Sequence, residues 1–269
     1  MSQVYDTVNI STIKLAPPRA SKASASCKTA YIQDASGSRI SIQTPVMRLP
    51  WDTTPKQMDE GSSVNASLSM SFAGDDEDVV GFKKFLFDFD QKVKELAKDM
   101  SGVLGKKADA KVIDANFKDS VKESSSGDWP STFQAKVWLK LVDGGNPKCV
   151  DDFTMDLVVY NMNGEKIGND QLKKGCPAAA VIQPSYVWCS TMGVGITWVA
   201  KQCIVKPAAL QQECAFNLNS GGFDKYREEA PEPSAKRAKV ETRDEVESES
   251  DDESVNSSLG GDPLENEEF

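Results

Sequence analysis

The chain has 269 residues, 39% of them apolar and 27% charged, with a formal net charge of −10 and no histidine. That is enough apolar material for one large domain or two small ones, and the missing histidine removes histidine-dependent triads and the commonest proton shuttle near neutral pH. Six cysteines without a C-x-x-C pair argue against zinc and for reduced thiols in a reducing compartment.

No phosphate loop is present, and Gly193 and Gly195 lack the third glycine of a dinucleotide fingerprint. Asp88 and Asp90 in FDFD are two apart on a predicted helix and do not face each other, which makes them a poor metal pair. We therefore expect a non-enzyme without cofactor or metal. No run of about 18 to 20 apolar residues could span a bilayer and no signal-peptide order is present, so a soluble, intracellular protein with no membrane partner is expected.

In chain order, residues 1–23 read as a short entry strand and a mobile basic loop. CKTAYIQD, a turn at Ser36 to Ser38, and RISIQT form a first hairpin, with Ile40 and Ile42 on one face. PVMRLPWDTTP sets Arg48 and Trp51 among three prolines, where neither helix nor central strand is comfortable. An exposed tryptophan beside an arginine is a candidate base platform. From Asn65 to Phe72, Ala66, Leu68, Met70 and Phe72 alternate with small polar residues, the pattern of a half-buried strand.

The period then changes. Val79, Phe82, Leu86, Phe89, Val93, Leu96 and Met100 recur every three or four positions behind the acidic run Asp75 to Asp78, and Gly102 follows. This predicts one long helix whose phenylalanines are core residues. After a polar, Ser-rich stretch to Gly127, STFQAKVWLKLVDGG alternates Phe133, Ala135, Val137, Leu139 and Leu141 with Gln134, Lys136, Trp138 and Lys140. The second face places a stacking surface between two cations, each about 7 Å along the strand. FTMDLVVYNMNGEKIG follows with a turn at Asn163 and Gly164, and the last strands, PSYVWCS and GVGITWVAKQCIVKP, carry Trp198 and Lys201. Glycines interrupt the alternation there, so which of Trp198 and Lys201 faces out stays open. Seven or so strands and one helix predict a mainly β protein, a small closed or nearly closed antiparallel barrel.

Beyond Arg227 the composition changes. Lys236, Arg237 and Lys239 form a K-R-x-K cluster in a proline-flanked linker, a match to nuclear-import signals. Glu241 to Phe269 holds twelve carboxylates against one arginine, so the rest of the chain is nearly neutral. Such a tail cannot bury enough apolar surface to offset ordering it and is expected to be disordered. It ends Glu267, Glu268, Phe269. A flexible polyanion with an aromatic tip can imitate a nucleic-acid strand, its charges standing for phosphates and its ring for a base.

These features together resemble the OB-fold single-stranded-DNA-binding proteins of tailed phages and their relatives in large nuclear-cytoplasmic DNA viruses. The resemblance spans most of the chain by architecture and is specific at the terminal acidic cluster with Phe269. It departs from the phage pattern in its long insertions and its import-like signal. It implies an elaborated OB-fold barrel with one helix over 1–227, a linker over 228–240 and a disordered acidic tail over 241–269. It further implies sequence-tolerant binding of single-stranded DNA in viral replication, recombination or repair, in the nucleus of the host cell. Arg48, Trp51, Lys136, Trp138, Lys140, Trp198 and Lys201 would meet DNA. Glu267, Glu268 and Phe269 would contact replication proteins such as a DNA polymerase or primase-helicase, and cover the groove when no DNA is bound. A homodimer is left open. The alternative is an acidic nuclear histone chaperone with a β body, which would need neither the aromatic face nor the terminal phenylalanine.

Overall fold

Five strands pair into a ring: β1 (Met47–Arg48), β2 (Val64–Ser71), β3 (Thr132–Val137), β4 (Pro177–Ser190) and β5 (Gly193–Val205). The computed structural model describes residues 2–20, 28–57, 59, 62–100, 109–190 and 193–207. All belong to one unit, Met1–Gln212. The linker cluster Lys236, Arg237 and Lys239, the tail 241–269 and the expected boundaries at 227 and 240 lie outside the described residues.

β2 and β3 run antiparallel from Ser71↔Thr132 to Ala66↔Val137, and β4 and β5 form a long antiparallel hairpin. β3 meets β5 in parallel, at Lys136↔Val199. β1 completes the ring, because Arg48 pairs with Ser71 on one side and with Pro177 on the other. The ring order is thus 1-2-3-5-4, a five-stranded Greek-key barrel of the OB type. The expected barrel stands, with two corrections. Its β3–β5 seam is parallel, and among the described residues fifteen strands join the main sheet while a two-stranded ribbon, Leu139–Leu141 with Phe153–Met155, stands apart.

The inward residues of β2 (Ala66, Leu68, Met70) and β3 (Phe133, Ala135, Val137) are buried in one core with the apolar stripe of α1, Glu77–Asp99. Asp76 caps this helix by accepting from the Asp78 and Val79 N–H groups at 2.9 and 3.3 Å. Its buried stripe, Val79, Phe82, Phe85, Leu86, Phe89 and Val93, follows the predicted period. Phe82 meets Phe133 edge to face at 5.8 Å, and Phe89 packs on Trp198 at 5.0 Å. Burial of each such ring stabilises by about 1.5–3 kcal/mol.

One helix was expected; the described residues contain two. α2 (Ala110–Asn116) is capped by Asp109 and buries Ile113. Its Asp114 takes Lys94 and Lys98 of α1 at 2.9 and 2.8 Å, and these donors hold the carboxyl down at about 2. Seven residues with a single buried side chain show no periodicity, which is why the sequence does not announce this element.

The glycines that interrupt β5 have steric reasons. A Cβ at Gly195 would stand 2.9 Å from Cζ2 of Trp188, whose indole lies across the strand. A Cβ at Gly193 would stand 2.8 Å from the Asn116 carbonyl oxygen, at φ +141.

Candidate nucleic-acid interface

The outer face of β2 and β3 forms the floor of a groove. Gln134 on β3 donates its amide to Ser67 Oγ of β2 at 2.7 Å and accepts from Lys122 Nζ at 2.6 Å. Lys136 stands two residues along the same face, and its ammonium lies 4.8 Å from the ring centroid of Trp138. That spacing is a cation–π contact, so the free protein holds the positive charge over the aromatic face.

The wall is the loop that leaves β1. Leu49 N–H donates to the Cys176 carbonyl, Gly175 N–H to the Leu49 carbonyl, and Thr53 N–H to the Leu172 carbonyl, at 3.0, 2.7 and 3.0 Å. Asp52 accepts from the Lys174 N–H at 2.7 Å and pairs with Lys173 Nζ at 3.5 Å. The Lys174 N–H is the main cause holding the Asp52 carboxyl below its usual range, with Lys173 assisting. The loop is therefore pinned at its start, its middle and its turn. Trp51 sits between these anchors with 49% of its surface exposed. The backbone that carries this exposed indole is ordered before any ligand arrives, which lowers the entropic cost of stacking.

Trp51 and Lys136 line one cavity of about 450 Å³, together with Lys56, Asn65, Ser67 and Gln134. A second cavity of about 660 Å³ also has Trp51 in its lining, and is bordered by Arg48, Lys122, Trp129 and Lys174. The barrel face between β2 and β3, with the loop from β1 to β2, is where OB-folds bind oligonucleotides.

The sequence-named residues divide accordingly. Arg48, Trp51 and Lys136 border these cavities, and Trp138 adjoins them through Lys136. Lys140 does not continue their row. β3 ends at Val137, the Trp138 carbonyl accepts the Asp156 N–H at 2.7 Å, and Lys140 lies on the separate ribbon with its ammonium 2.8 Å from Asp156.

Trp198 leaves the set altogether. It is 3% exposed, meets Phe89 and Phe133, and donates its indole N–H to Ser120 Oγ at 2.6 Å. Lys201 is half-exposed in the β4–β5 bulge near Val181 and Ile182, and lines neither cavity. Glu267, Glu268 and Phe269 are outside the described residues.

Four residues of the groove were missed: Lys56, Lys122, Trp129 and Lys174. A signal for Trp129 exists, because SSSGDWPST places a tryptophan next to a proline beside short polar residues, as LPWDTTP does for Trp51. The lysines carry no such mark; a surface lysine in sequence looks the same whether it borders a groove or open solvent.

In the core, Ser120 ties α1 to β5. Asp90 of α1 accepts from Ser120 N–H at 2.7 Å and from Ser120 Oγ at 2.6 Å, while Asp88 faces out to Lys84 at 2.6 Å. Burial pushes the Asp90 carboxyl up to about 7, against the opposing effect of the two Ser120 donors.

No protein-family model and no curated protein matches the sequence. Solved structures similar to the chain include the single-stranded DNA-binding protein from bacteriophage Enc34 in complex with ssDNA. That match has 14% identity over 72% of this chain and 96% of that one, with a TM-score of 0.38. Another is gp2.5, a single-stranded DNA binding protein encoded by bacteriophage T7, at 10% identity over 72% of this chain and all of that one, with a TM-score of 0.42. At these scores the topology rests on the strand pairing described above.

Proposed function

We propose that the chain is a sequence-tolerant single-stranded-DNA-binding protein, with the β2–β3 face as its groove. The observation that carries this reading is the half-exposed Trp51 on its anchored loop, sharing a cavity with Lys136, whose ammonium lies against Trp138. Bases that are free of a duplex stack on indoles, and phosphates follow the lysines. Arg48, Lys56 and Lys122 extend the positive track.

The finer reading follows the sequence resemblance. The protein acts in viral DNA replication, recombination or repair, accumulates in the host nucleus through Lys236, Arg237 and Lys239, and uses Glu267, Glu268 and Phe269 to contact replication proteins. Its tail competes with DNA for the groove. Lys236→Ala with Arg237→Ala, in a fusion too large to diffuse, tests the import signal; undiminished nuclear accumulation removes it.

Intrinsic tryptophan fluorescence tests the main assignment against the histone-chaperone alternative. An unlabelled oligothymidine should quench the emission saturably at low salt, and core histones should not. Quenching by histones alone would favour the chaperone.

A further inference from the structure

We propose that the cavity between Trp51 and Trp129 is a second nucleotide subsite, in which the same strand, continuing past Trp51, lays a base against Trp129 with its phosphates on Arg48, Lys122 and Lys174. This rests on the single-strand reading above. Three features point to it.

Trp129 is 77% exposed, the most exposed large apolar side chain among the described residues. An indole left in water forfeits the burial that most tryptophans obtain, and here it borders a cavity rather than a flat surface. The cavity's charge is one-sided. It has three cations, and its one acid, Glu123, is already engaged by Lys83 at 2.9 Å. An apolar wall under a cationic rim suits a base attached to a phosphodiester.

The third feature is continuity with the first groove. Trp51 lines both cavities, so the two adjoin at its side chain. Lys122, on the rim of the second cavity, donates to Gln134 on the floor of the first. A strand that stacks on Trp51 in the first groove therefore has the second cavity as its neighbour. The cavity, at about 660 Å³ against about 450 Å³, is the roomier of the two.

The test is a length series of oligothymidines bound to the full chain and to Trp129→Leu, Lys174→Gln and Trp138→Leu. Short oligomers that fill the first groove should bind wild type and Trp129→Leu equally. Beyond the length at which the strand passes Trp51, wild-type affinity should rise again and that of Trp129→Leu should not, leaving a gap of about fivefold or more. Lys174→Gln lies on a different loop and reports independently. It should lower the salt slope by about 0.7 for long oligomers only, and it decides alone should Trp129→Leu fail to fold. Identical length profiles for wild type and Trp129→Leu, with Trp138→Leu weakened at every length, overturn the subsite and leave the single-strand reading standing. That is also the result expected if the cavity takes an apolar peptide instead. No binding of any oligomer to the wild type overturns both.

Discussion

Asp90 is the residue whose environment departs furthest from its chemistry: a carboxyl on α1, 2% exposed, held by Ser120, which also receives the Trp198 indole. Its folded value of about 7 lies above the unfolded 3.8, so the native state binds the proton more tightly. The stabilisation is thus complete below about pH 4 and is lost as pH rises through 7, by up to roughly 4 kcal/mol. With no histidine in the chain, little else titrates in the upper part of that window. Urea midpoints of the wild type should fall between pH 5 and pH 8. Asp90→Asn, whose amide can donate to Ser120 Oγ and whose carbonyl can accept the Ser120 N–H, should show a much flatter profile. Equal pH dependence in both proteins would mean that Asp90 is ionised throughout. This network was not legible in the sequence. FDFD announces two acids on a helix, but only packing decides that Asp88 reaches water and Asp90 meets a serine thirty residues away.

At the scale of elements, the legible parts were those whose period matches their burial. α1 shows seven apolar residues at helical spacing and an acidic start, and its cap Asp76 sits where that start was read. Asp76→Ala should cost about 0.5–2 kcal/mol, read as a lower urea midpoint with no change in oligonucleotide affinity. An unchanged midpoint would mean that the two N–H groups find equal partners in water. β2 and β3 were legible for the same reason, in that every second side chain is buried. The reading failed where alternation persists past the end of pairing. Leu139 and Leu141 continue the apolar rhythm of β3, yet the chain leaves the barrel at Trp138 and pairs with Phe153–Met155, which carries Lys140 to Asp156. At Trp198 and Lys201, both named for DNA, the glycines left open which side chain faces out, and packing decides it. The bulge between Val181 and Ile182 changes the phase of β5, so Trp198 and Cys203 both point inward.

At the scale of the whole molecule, charge is divided between a nearly neutral body and a tail with a balance of −11. Deleting Glu241 to Phe269 should tighten single-strand binding and raise the on-rate at low salt, because repulsion of the DNA polyanion is removed. Phe269→Ala leaves the charge unchanged and separates docking from diffuse repulsion. Docking predicts a partial gain in affinity towards the deletion, and no gain means the tail acts as charge alone. The barrel brings Arg48 and Lys136 to its two seams, β1 against β2 and β4, and β3 against β5. The groove between them joins residues 48 to 56 with residues 122 to 138, a juxtaposition that depends on ring closure and not on any local motif. The central claim is that this face takes unpaired bases. Its most direct measurement is fluorescence anisotropy of a labelled 30-mer, single-stranded and annealed to its complement, with wild type and a folded Trp51→Ala, Trp138→Ala double variant. Preference of the wild type for the single strand, with the double variant weakened by roughly 2 kcal/mol or more on that strand, is the predicted result. Equal affinity for duplex and single strand, or a double variant that binds the single strand as tightly as the wild type, would contradict it.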